Sequence, residues 1–151
     1  MALKNLYPNN TLSSQSSACI NRCDWVPHHK DFYIAYHDEE WGIPVHDDLK
    51  HFEMLTLEGA QAGLNWETIL KKRKAYQSTF YDFDPKKVAL MSDEDLANAL
   101  NNSNLIRNRL KIFSVRKNAQ AFLKIQKNYG TFDHYIWQFV NYQPIINQWE
   151  A

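Results

Sequence analysis

Between Cys23 and Trp66 the chain concentrates most of its chemically capable side chains. It reads Cys23-Asp24-Trp25, then Tyr33-Ile34-Ala35-Tyr36-His37-Asp38-Glu39-Glu40-Trp41-Gly42, then Leu57-Glu58-Gly59-Ala60-Gln61-Ala62-Gly63-Leu64-Asn65-Trp66. Aromatic rings alternate here with a few polar groups able to hydrogen-bond a flat ligand. Glu58 is the anomaly. Asp47 or Asp48 can cap a helix running to about Ala62, and at about 100° per residue Phe52, Leu55, Gly59 and Ala62 share one face, with Met54 at its margin. Glu58 is expected in the middle of that apolar arc. Either it pairs with a basic residue or lies at the rim of the core, or it enters a pocket and accepts hydrogen bonds from a ligand. Trp66, just past a helix break at Gly63, can pack over the same cavity.

A second constellation lies further on. Ser92-Asp93-Glu94-Asp95 resembles a capping box opening a short helix to about Leu100. Asn101-Asn102-Ser103-Asn104 breaks it, and a long amphipathic helix is expected from Leu105 to about Asn128. Ile106, Leu110 and Phe113 mark its stripe, widened by Ile112, Val115, Ala119 and Phe122. Asn104 suits the left-handed backbone that such a turn often needs. Arg107, Arg109 and Lys111 cluster at the start of the long helix, so exposed amides, a positive helix end and basic side chains could together hold a backbone phosphate. The plainer alternative is a helical hairpin that only completes the core.

The elements that must position these groups are all helical. Asn65 is the expected N-cap of a helix from Trp66 to about Phe80, with Ile69, Leu70, Tyr76 and Phe80 among its apolar positions and the Lys71-Lys72-Arg73-Lys74 run as a basic strip, either a solvated face or a phosphate contact. Asp84-Pro85 starts a short turn through Met91. Asp133 is expected to cap a last helix bearing Tyr135, Ile136, Phe139 and Val140, ending near Tyr142-Gln143-Pro144. No repeat or strand-rich region occurs.

Bulk properties narrow the class. The 151 residues suffice for one core, and seventeen basic residues balance seventeen acidic ones, so any nucleic-acid contact must be local. Residues 1 to about 21 are rich in Ser and Asn and are expected to form a flexible extension. No apolar run has membrane-spanning length, and the N-terminus lacks the apolar core of a secretory signal, so a soluble, cytoplasmic monomer is expected. The two cysteines, Cys19 and Cys23, close too short a loop for a useful disulfide, and an isolated pair falls short of a four-ligand zinc site.

The motifs from Cys23-Asp24-Trp25 through Phe52-Glu53-Met54, Leu70-Lys71-Lys72-Arg73, Phe83-Asp84-Pro85 and Ile106-Arg107-Asn108-Arg109 to Phe139-Val140-Asn141-Tyr142-Gln143-Pro144 resemble, in order, the DNA-3-methyladenine glycosylase I family. The resemblance covers residues 23 to about 148. It implies an all-α fold of the helix-hairpin-helix glycosylase type over residues 22–151, and excision of 3-methyladenine from double-stranded alkylated DNA by base flipping, in base excision repair. It also implies roles for particular residues. Glu58 and Tyr36 would be catalytic, recognising the base through hydrogen bonds, Trp66 would stack on it, and Trp25, Tyr33 and Trp41 would line the pocket. Asn104, Arg107 and Lys111 would hold the DNA backbone. The family lacks the aspartate that usually follows the hairpin, and Arg116-Lys117-Asn118 supply none. The family's structural zinc takes a Cys and a His from the N-terminal part and a second pair from a C-terminal H-x3-C motif. Cys23 and His37 match the first pair, and the second is absent through Ala151, so the expectation is a domain without its C-terminal zinc-ligand segment. Two other readings compete with an active glycosylase: a shortened relative that binds DNA or free purine without cleavage, and a helical protein with a metal-anchored interaction surface.

Overall fold

The protein is described here by a computed structural model covering residues 21–147; the expected N-terminal extension, including Cys19, falls almost wholly outside that range. The described residues are helical, without strands. The helices are α1 (Asp31–Glu39), α2 (Asp48–Gln61), α3 (Trp66–Thr79), α4 (Pro85–Val88), α5 (Asp93–Asn101), α6 (Arg109–Tyr129) and α7 (Phe132–Trp137). A 3-10 turn, Tyr81–Phe83, joins α3 to α4, and another, Gln138–Val140, follows α7.

Local chemistry sets most of the starts. Asp47 accepts from the Lys50 amide at 2.7 Å and Asn65 from the Thr68 amide at 2.8 Å, as expected for N-caps. Ser92 and Asp95 form the reciprocal capping box. The last helix departs from expectation. Thr131 caps α7 through the His134 amide at 2.9 Å, while Asp133 lies inside the first turn and faces His46 and His51. Asp48 of α2 reaches across to the Phe132 and Asp133 amides at 2.9 and 2.8 Å, so one helix start caps another.

α2 and α6 form the centre, with α3 and α7 packed on α2, and α4, α5 and α7 packed on α6. Phe52 and Phe122 are fully buried and meet edge to face at 5.3 Å; Phe122 stacks on Phe132 at 4.2 Å. The face of α2 that enters this core is Phe52, Thr56, Leu57 and Ala60. Leu55, Gly59 and Ala62, expected inside, are exposed, and Glu58 lies roughly opposite the buried arc. The apolar residues of α2 cover more than half its circumference, so periodicity alone placed the core on the wrong side.

Three further expectations are corrected at the α5–α6 hairpin. α6 begins at Arg109 with Asn108 as its N-cap, so Leu105 to Arg107 belong to the turn. Asn104 keeps a negative φ, because the Asn102 side chain accepts from its amide at 2.9 Å and closes the turn without left-handed backbone. Leu110 is exposed, and Ile112, Val115, Ala119 and Phe122 alone form the buried stripe of α6.

Phe52→Ala should leave the α2–α6 contact with a void and destabilise the protein by about 3–5 kcal/mol, read as a lower urea midpoint.

Candidate functional site

α1 was not legible as a helix, because none of its residues is fully buried. Its Tyr33, Tyr36 and His37 stand at i, i+3 and i+4 and so share one face. The chain then turns sharply: the amides of Glu40 and Trp41 both donate to the Tyr36 carbonyl, at 3.0 and 2.9 Å, and Gly42 takes a φ of +74° that side chains resist. This turn folds Trp41 back beside α1. Trp25 meets Tyr33 at 5.8 Å and Trp41 at 5.2 Å, both edge to face, and Tyr36 meets Trp66 at 5.5 Å.

Glu58 approaches this cluster from α2. Trp25, Tyr33, Tyr36, Trp41, Glu58, Gln61 and Trp66 line one cavity of about 380 Å³. Every pocket residue expected from the sequence is therefore gathered in one place. Gln61 was missed, although it lies one turn beyond Glu58 on the same helix face. No cation sits within ion-pair distance of Glu58 among the described residues, which disfavours the salt-bridge reading and leaves its carboxylate to the cavity. Burial raises the Tyr36 phenol above its ordinary pKa, and the carboxylates of Glu40 and Glu58 push it further, so it is held protonated as a donor. The Trp66 Nε1 is buried and lacks a hydrogen-bond partner; it lies close to the Tyr36 phenol, but not in hydrogen-bonding geometry.

The cage is held from behind by ions. Arg73, from the basic strip, turns inward and grips both oxygens of Glu40 at 2.7 and 2.9 Å and one of Glu53 at 2.6 Å. Lys50 adds contacts to Glu40 at 2.6 Å and Glu53 at 3.0 Å. Three elements are thereby fixed together: the turn after α1, α2 and α3. The Arg73 guanidinium, opposed by burial and aided by Lys50, holds the Glu40 carboxyl at about 2. Burial raises the Glu53 carboxyl, but Arg73 and Lys50 together outweigh it and leave it lowered.

At the α5–α6 hairpin, Ile106 donates its amide to the buried Tyr76 hydroxyl at 3.3 Å, and Lys72 reaches the Ser103 carbonyl at 2.9 Å. Arg107 is exposed, whereas Lys111 is already occupied: its Nζ donates to the carbonyls of Ala60 and Ala62 at 2.8 and 2.6 Å. It thus caps the C-terminus of the helix that carries Glu58. Arg109 lies over the Phe113 ring at 4.0 Å.

Cys23 and His37 do come together, with His37 Nε2 facing the Cys23 amide at 3.4 Å and Nδ1 facing Asp38 at 2.9 Å, itself gripped by Arg22. A carboxylate behind a histidine is the usual support for a metal ligand. Two donors still do not close a tetrahedral site, and no cluster of three metal-capable side chains occurs among the described residues. The residues present therefore do not by themselves hold the zinc that the resemblance implies.

A helical scaffold thus presents an aromatic cage with one unpaired carboxylate, beside a helical hairpin that carries Arg107, Arg109 and Lys111. The comparisons with known proteins make this specific: the methyladenine glycosylase family model matches residues 25–151, and the chain belongs to that family. A DNA-3-methyladenine glycosylase of Haemophilus influenzae is 49% identical over 126 residues, covering 83% of this chain and 68% of the relative. A crystal structure of a 3-methyladenine DNA glycosylase I superposes with a TM-score of 0.81 at 48% identity, covering 85% of this chain and 70% of the other. The Staphylococcus aureus enzyme, whose structure was solved to explain 3-methyladenine recognition, gives 0.75 at 41% identity over 77% of this chain and 62% of its own.

Replacing Arg73 with Met should test the ion network through its pH dependence. Glu40 titrates well below its ordinary 4.5, so its stabilising contribution is full above that value and is lost as pH falls toward about 2. The variant should be less stable at pH 7 in urea titrations, with the deficit shrinking between those two pH values.

Proposed function

We propose that this protein excises 3-methyladenine from alkylated double-stranded DNA. The observation carrying the reading is the unpaired Glu58 carboxylate set among Tyr36, Trp41 and Trp66 in one cavity. Methylation at N3 gives the adenine positive charge, and aromatic faces attract a cation by about 0.5–2 kcal/mol per well-placed ring. The carboxylate adds a directional, charge-assisted contact to the exocyclic amine. An uncharged adenine lacks the cation attraction and offers the carboxylate only a neutral amine.

The target base must leave the duplex stack before it reaches such a cage, and a damaged base costs less to extrude. Once charged, the purine is already a good leaving group. Cleavage of the C1′–N9 bond returns the bonding pair to the base, and water adds to the sugar cation at C1′ with loss of a proton. Glu58 and Tyr36 hold the base, while Trp66 stacks on it and Trp25, Tyr33 and Trp41 shelter it. Strong acid catalysis is not required.

The helix-hairpin-helix element, with Arg107 and the positive end of α6, contacts the DNA backbone. Lys111 supports that contact from its place at the end of α2, and Asn104 shapes the turn. The same reading makes Cys23 and His37 half of a structural zinc site; the described residues bring no third ligand to them.

Two experiments test this. Glu58→Gln should lower release of 3-methyladenine from methylated duplex DNA by roughly 10- to 100-fold with an unchanged melting temperature. Undiminished release would remove Glu58 from recognition, and duplex binding without any release by the unsubstituted protein would support only a non-cleaving binder. Arg107→Ala should weaken duplex binding regardless of sequence and lower the salt-dependence slope by about 1.

A further inference from the structure

The aromatic chamber is not alone. Tyr36, Trp41 and Glu58 also line a second chamber of about 310 Å³, which Ile43, Val45 and Met54 line as well. The two neighbouring spaces thus share three lining residues, Glu58 among them. Lys50 and Glu40 also border the second chamber and are paired with each other at 2.6 Å. The exposed Glu39 stands at its edge, and Ile43, Val45 and Met54 form its apolar part.

Chemistry fixes which edge of a bound base faces this space. A 3-methyladenine joined to sugar through N9 carries N–H groups only on its exocyclic amine, and an ionised carboxylate can only accept. Glu58 must therefore take that amine. An amine bearing one alkyl or aryl group keeps one N–H for Glu58, and its substituent is directed past the carboxylate. We infer that the chamber bounded by Ile43, Val45 and Met54 is a subsite for an apolar substituent on the exocyclic amine of the bound adenine. On this view Met54 and Val45 set tolerance at that position, separately from the cage that recognises the N3-methylated ring. The inference rests on the base-binding reading of the aromatic chamber.

The test is binding of two free bases, 3-methyladenine and its N6-benzyl derivative, followed by quenching of tryptophan fluorescence. The unsubstituted protein should bind both within about 3-fold of each other. Met54→Trp and Val45→Trp, which fill the second chamber, should each weaken the benzyl derivative at least about 10-fold while leaving 3-methyladenine within about 2-fold. Binding of 3-methyladenine with exclusion of the benzyl derivative overturns the subsite alone. Equal loss of both bases in both variants, or no loss of the benzyl derivative in either, also overturns it. Failure of the unsubstituted protein to bind 3-methyladenine overturns the base-binding reading as well.

Discussion

The grip of Arg73 on Glu40 is the constraint on which the site depends. α1 has no buried residue of its own, so it cannot hold its position by packing as α2 and α6 do. Its end is held instead by a forked guanidinium from α3 and an ammonium from α2, both closing on a carboxylate next to Trp41. Paired acids and bases at partial burial are worth having only when geometry is good and the remaining valences are filled. Here Glu53 fills them on the Arg73 side. The turn that carries Trp41, and the carbonyl of Tyr36 to which that turn is bonded, inherit this rigidity.

Against that backing the cage can remain open. Trp25 and Trp41 stay 44% and 48% exposed, an unfavourable state for indoles unless a ligand covers them. Glu58 likewise has no ion-pair partner among the described residues, so its charge is left to the cavity it lines. Rings without a carboxylate would hold any flat base, and a carboxylate without rings would hold any cation.

The hairpin and the cage are mechanically joined. Lys111 leaves the start of α6 to bind the last carbonyls of α2, so the α5–α6 hairpin and the helix presenting Glu58 share a hydrogen-bonded corner. The Gly63 turn follows directly, with a φ of +77°, and delivers Asn65 as the cap that starts α3 and fixes Trp66. A phosphate held near Arg107 would thus lie at a set distance from the pocket.

Much of this was legible from residue types alone. Caps at Asp47, Asn65 and Ser92 are local hydrogen bonds within three residues; Glu58 and Trp66 stood out by residue type and spacing, whereas the places of Tyr36, Trp25, Tyr33 and Trp41 came from the family resemblance. Relations between distant segments were not. Which face of α2 is buried, whether Arg73 points to water or to Glu40, and whether Lys111 meets DNA or the end of α2 all depend on what packs alongside. Asp133 illustrates the limit: its type and position suit a cap, but Thr131 took that role and two histidines from another part of the chain claimed the carboxylate. The sequence by itself determined most of the helices that follow Asp47 and the chemistry available to them, because propensity and hydrogen-bonding capacity are properties of neighbouring residues. Only the tertiary structure decided which charges are spent on holding the fold and which, like Glu58, are left free to act, because pairing depends on contacts between residues far apart in the chain.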